Sequence, residues 1–170
     1  MNLEIILWPD PVLLSGTQPI EVVDEELRSV VGEMRRVLFE QRGVGLAAPQ
    51  VGVPLRLMLV CPSGAPGDET VVLNPELVAV EGQEDGEEGC LSFPGLYGDV
   101  PRAVSIEVRY QDLELRARHM VLEGWVARIF QHELDHLNGE VFVDKMVPAS
   151  REKIEEGLED LKRQYAEASA

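Results

Sequence analysis

The chain has 170 residues, 45% of them hydrophobic and 27% charged, which fits one globular domain over residues 1–170 rather than a disordered chain. Its formal charge of −16 repels phosphate backbones and argues against direct nucleic-acid binding. No apolar stretch approaches the roughly 20 residues a bilayer span needs, and the acidic start Met1-Asn2-Leu3-Glu4 lacks the basic opening of a signal peptide, so the cytoplasm is the expected setting.

Ile5 to Trp8 is an extended segment broken by Pro9-Asp10-Pro11. A helix is expected over 25–41: Asp24 is its N-cap, Leu27, Val30, Val31, Met34 and Leu38 form an apolar stripe, and Gly43 is its stop. Strands follow at 55–60, 71–73 and 77–80, the last two flanking Asn74-Pro75. Val104, Ile106, Val108 and Tyr110 alternate with polar residues, a half-buried strand. Leu113, Leu115 and Ala117 alternate likewise as its antiparallel partner, with His119 continuing the apolar side in a structural role. A second helix spans 123–138, closed by Asn138-Gly139, and a third, about 149–168, carries Ile154, Leu158, Leu161 and Tyr165. This order implies an α+β fold, with mixed or antiparallel sheets around a central helix and further helices at each end.

The second helix contains His132-Glu133-Leu134-Asp135-His136, an H-E-x-x-H pattern. Positions i and i+4 share a helix face about 5–6 Å apart, so two imidazoles there can bind one metal ion. Glu133 can take a proton from water activated at that ion and pass it to a leaving amine. Trp125 and Ile129 extend the same face as an apolar wall, while Arg128 and Asp135 lie further round. Two histidines need a third protein ligand. Glu140 and Asp144 follow the pair, but Gly139 ends the helix before them.

The chain's two cysteines offer a better choice. A cytosolic protein seldom keeps a disulfide, so separate roles are expected. Cys61 ends an apolar run and belongs to the core. Cys90 sits in the Gly- and Glu-rich loop 87–92, where a thiolate would be a strong ligand for a soft or borderline metal. Gly43-Val44-Gly45-Leu46-Ala47-Ala48-Pro49-Gln50 superficially fits a dinucleotide fingerprint. That motif requires a strand before it and a helix after it, whereas here a helix precedes and prolines follow. The segment is better explained as backbone approaching something closely, with Gln50 as a polar donor.

GVGLAAPQ (43–50), EGCLS (88–92) and QHELDH (131–136), in this order, resemble the motifs of peptide deformylase, with the third helix similar to the bacterial type 1 form. The resemblance covers about residues 5–148. It implies a metal-dependent hydrolase that removes the N-formyl group from the N-terminal methionine of new polypeptides and releases formate. It implies Cys90, His132 and His136 as metal ligands, Glu133 as general acid/base, and the Gln50 side chain and Leu91 N–H as oxyanion donors. The backbone of Val44, Gly45 and Gly89 would hold the substrate as an added strand. The methionine side chain would enter a pocket lined by Glu88, Trp125, Ile129 and the His132 ring. The implied cofactor is one divalent ion, usually Fe²⁺ in the family, with Zn²⁺ or Ni²⁺ often found instead. Some relatives dock on the ribosome through a basic C-terminal helix. Here residues 150–168 set Arg151, Lys153, Lys162 and Arg163 against a larger number of acidic residues, so packing is the expected role of that helix. A general H-E-x-x-H endopeptidase would need a cleft open on both sides of the scissile bond. An inactive binding protein would not need Glu133, Gln50 and Cys90 together.

Overall fold

A computed structural model describes residues 1–170. Asp24 Oδ1 accepts from Leu27 N at 2.8 Å and starts helix α1 (Glu25–Glu40). The stop differs from expectation. Arg42 takes the left-handed turn (φ 56°) and Gly43 N bonds Leu38 O at 2.9 Å, so the reversal happens one residue before the glycine.

Strands β1 (Gly45–Ala47), β2 (Leu57–Val60), β3 (Thr70–Glu81), β6 (Ser105–Gln111) and β7 (Ala117–Glu123) form an antiparallel sheet in that spatial order. Strands β4 (Glu84–Cys90) and β5 (Phe93–Arg102) form a separate hairpin. Helix α2 (Gly124–Leu137) packs on one face of the large sheet and α1 on the other. This explains the unbroken apolar run of β2: Leu57 and Leu59 join the α1 cluster, while Met58 and Val60 join the α2 cluster with Phe130 and Leu134. Each such buried side chain contributes roughly 1.5–3 kcal/mol relative to exposure. No helix is long and apolar enough to cross a membrane.

Four expectations need correction. The two short strands around Asn74-Pro75 are one bulged strand. Asn74 sits at φ 51° and its side chain bonds Ile20 N, Ile20 O and Gln111, stitching the bulge to the N-terminal segment. The partner of β6 begins at Ala117 rather than Leu113, because Asp112 Oδ1 accepts from Glu114 N and Arg116 N and Leu115 turns at φ 61°. His119 is consequently exposed on edge strand β7, with Nε2 2.6 Å from Glu107 Oε1. The loop expected around Cys90 is β4, whose Gly and Glu residues have low strand propensity but gain their ladder from β5.

The third helix breaks at Ile154 into α3 (Pro148–Lys153) and α4 (Glu155–Ala168). Ile154, Leu158 and Leu161 pack with Phe93, Val100 and Phe142, while Val147 N and Ser150 Oγ bond Asp99 of β5. The C-terminal helices therefore brace the hairpin that carries Cys90.

Candidate active site

Three elements converge. Helix α2 supplies His132, Glu133 and His136, the end of β4 supplies Cys90, and the turn after β1 supplies Gln50. Donor atoms of Cys90, His132 and His136 all lie within 4.8 Å of one another. Cys90 Sγ is 3.3 Å from His136 Nε2, and Gln50 Nε2 lies 3.4 Å from the same sulfur. The Gln50 amide is oriented by its partners: Oε1 accepts from Ala47 N at 2.9 Å, which turns Nε2 toward Cys90 and Ser92 Oγ, the latter 3.3 Å away.

A cavity of about 330 Å³ opens over these atoms. Every residue that the resemblance places in the site lines it except His136. Glu133 is buried, and its Oε2 has no partner in the protein. Gly45 brings the β1 backbone against it: a Cβ there would lie 2.9 Å from Glu133 Cγ.

The charges around the donors are ordered. Glu88 Oε1 accepts from His132 Nδ1 at 2.8 Å, leaving Nε2 toward the other donors. Arg102 grips Glu88 with two hydrogen bonds, 2.8 and 2.9 Å, and Arg128 adds a third at 2.7 Å. Arg102 also pairs with Asp135, which Lys145 holds from the other side. Burial opposes ionisation of Glu88, but the bonds from Arg102 and His132 outweigh it and hold its pKa at about 2. For Glu133 burial wins, tempered by the His132 charge, and the pKa rises to about 7. Burial and the nearby His132 and Arg102 charges push His136 well below the usual histidine value, which favours the neutral imidazole, the form able to bind a metal. Burial opposes protonation of His132 as well, but Cys90, Glu88 and Glu133 overcome it and raise its pKa. The same anionic surroundings would attract a cation. Two imidazoles, a thiol and adjacent carboxylates thus fit a borderline divalent metal.

A family model described as polypeptide deformylase matches residues 2–152. This chain belongs to the polypeptide deformylase family. The peptide deformylase of Rhodopirellula baltica is 41% identical over 97% of this chain and 83% of its own length, and that of Chlorobium limicola is 42% identical over 95% and 89%. The solved structure of the Plasmodium falciparum deformylase matches with a TM-score of 0.95 at 34% identity, covering 98% of this chain and 99% of that one. The Legionella pneumophila structure gives 0.88 at 38% identity, covering 98% of each. The α+β architecture is therefore that of the deformylases.

Within this site Glu88 borders the cavity as the sequence reading expects, and its carboxylate is also held by His132 and two arginines. Arg128, expected further round the helix, also lines the cavity, and Trp125 at its rim is half exposed with its indole N–H on Pro62 O. Arg102, Ser92 and Tyr97 were not singled out at all. Arg102 lies in Pro101-Arg102-Ala103, which carries no motif, and only the fold shows that it faces Glu88 and Asp135. Ser92 was visible as the last residue of EGCLS, without a sign of its partner.

Proposed function

We propose that Cys90, His132 and His136 hold one divalent metal ion, and that Glu133, Gln50 and the Leu91 N–H carry out hydrolysis of the formyl group. The family activity, metal-dependent removal of the N-formyl group from nascent peptides, is the activity of this chain. The observation that supports the residue assignment is the convergence of the three donors within 4.8 Å at the base of a cavity that Glu133 also faces.

A bound metal would polarise the formyl carbonyl and make water acidic enough to attack it near neutral pH. Glu133 Oε2, buried and unpartnered, accepts the proton of the attacking water and delivers it to the departing α-amine. The Gln50 amide and the Leu91 N–H meet the negative charge developing on the formyl oxygen. Glu88 fixes the His132 ring through Nδ1. Strands β1 and β4 each pair with one neighbour only, and both line the cavity, so Val44, Gly45 and Gly89 offer backbone for an extended peptide. The first side chain of the substrate lies along α2 against Ile129, Trp125, Glu88 and the His132 ring.

Fe²⁺ is the proposed ion, with Zn²⁺ and Ni²⁺ as substitutes the same donor set accepts. Residues 1–170 act as one catalytic unit. Formylated chains are made where translation begins, so a cytoplasmic setting is part of the proposal. The acidic face of α4 does not suit docking on ribosomal RNA phosphates.

Anaerobically purified, fully metallated protein should release formate from a formyl-Met peptide. Cleavage of internal peptide bonds by that same protein, with no formate formed, would overturn the reading.

A further inference from the structure

The two faces of strand β4 look to opposite sides of the site, and its glycines mark which is which. A Cβ on Gly86 would lie 2.8 Å from Arg128 Cζ, and Glu88 bonds His132, so the even-numbered positions face α2. Gly89 points the other way. A Cβ there would lie 2.6 Å from Cδ1 of Tyr97, its partner across the hairpin, and closer still to Cε1. The Tyr97 ring therefore lies over the Gly89 backbone, on the side of the hairpin turned away from α2. It is 59% exposed and belongs to none of the three core clusters, yet it lines the cavity.

A peptide added along the free edge of β4 starts with its formyl group near Cys90 and leaves past Gly89, Glu88 and Glu87. Extended backbone advances about 3.4 Å per residue and turns successive side chains to opposite faces. With the first side chain along α2, the second falls on the Tyr97 side. Glu87 shares the face of Gly89, lines the cavity, is exposed and pairs with no cation of the protein. An aromatic face beside a free carboxylate suits a guanidinium or ammonium carried on a long apolar stem.

We infer that Tyr97 is a specificity-determining residue that, together with Glu87, favours formyl-Met peptides whose second residue is arginine or lysine. The inference rests on the reading above that the first side chain lies along α2. Arg42 borders the opposite wall, exposed and unpaired. It does not reverse the preference, because the negative face of the Tyr97 ring disfavours a carboxylate and the net charge of −16 favours a cation at the mouth. Gly89 is what admits the ring: any side chain there would push Tyr97 off the strand.

The test compares kcat/KM for formate release from formyl-Met-Arg-Ser, formyl-Met-Gln-Ser and formyl-Met-Glu-Ser at low ionic strength. The proteins are metal-loaded wild type, Tyr97→Ala, Tyr97→Phe and Glu87→Gln. Wild type should rank the peptides Arg, Gln, Glu, with Arg ahead of Gln by about fivefold or more. Tyr97→Ala should lower the Arg-to-Gln ratio by about two- to fivefold, the fold-change of one exposed cation–π contact, while Tyr97→Phe keeps it. Glu87→Gln should lower the Arg-to-Glu ratio, and added salt should narrow it in wild type. Ratios within each protein cancel general damage from the substitution. Equal rates on Arg and Gln peptides in wild type, or an unchanged Arg-to-Gln ratio in Tyr97→Ala, overturn the inference. The reverse order, Glu ahead of Arg, overturns it too and assigns the second side chain to Arg42. Failure of the underlying site reading looks different: metal-loaded wild type would release no formate from any of the three peptides.

Discussion

Arg102→Met removes the charge that organises the floor of the site. Arg102 is buried and makes two hydrogen bonds to Glu88 and one to Asp135, whose side chains are themselves only 4% and 12% exposed. The substitution leaves both carboxylates buried with fewer partners, a change that costs about 3–5 kcal/mol when one member of a buried pair is lost. Arg128 and His132 still face Glu88, and Lys145 still faces Asp135, so the lower end applies. At roughly 2–4 °C per kcal/mol for a chain of this size, a loss of about 3 kcal/mol lowers Tm by about 6–12 °C. Thermal unfolding of the metal-free protein, followed by circular dichroism, measures this without the contribution of bound metal. Glu88→Gln combined with Arg102→Met should cost less than the two single changes added together, because the double variant no longer buries an under-paired charge. A Tm for Arg102→Met within about 2 °C of the parent would refute the view that this network is structurally important.

Three further outcomes are expected. Cys90→Ser should lower the metal bound per chain, measured by elemental analysis after dialysis, and should alter the metal–ligand absorption spectrum; full occupancy with an unchanged spectrum would remove Cys90 from the ligand set. Gly45→Ala sets a methyl 2.9 Å from Glu133 Cγ, so the carboxylate must shift, and a misplacement of about 1 Å costs on the order of 10²-fold in formate release, with metal content preserved. Asn74→Ala deletes the side-chain bonds to Ile20 and Gln111 and should lower unfolding free energy by about 1–3 kcal/mol in urea titration, with kcat/KM for formyl-Met peptide unchanged.

The parts of this molecule governed by short-range periodicity were legible in the sequence. The stripe of α1, the run of β2 and the spacing of His132 and His136 each follow from side chains a few residues apart. Strands β4 and β5 were not legible, because residues such as Glu87, Glu88 and Gly89 do not favour a strand and are held as one by pairing and by α3. Asn74-Pro75 and Asp112–Leu115 misled for a related reason: side-chain hydrogen bonds there set a bulge and a turn that alternation alone cannot locate. In the site, the motif residues announced themselves by type and spacing. Their electrostatic support did not, since Arg102 and Arg128 meet Glu88 only once the β4–β5 hairpin packs against α2. The apolar wall inferred from Trp125 and Ile129 was incomplete for the same reason.

The central claim is that Glu133 moves the proton while Cys90, His132 and His136 hold the metal. It is tested most directly by one paired measurement on Glu133→Ala: metal content, and formate release from a formyl-Met peptide under anaerobic conditions. Metal occupancy equal to that of the parent, with formate release reduced by about 10²–10⁴-fold, is the predicted result. Formate release near the parental rate, with the metal still bound, would contradict it.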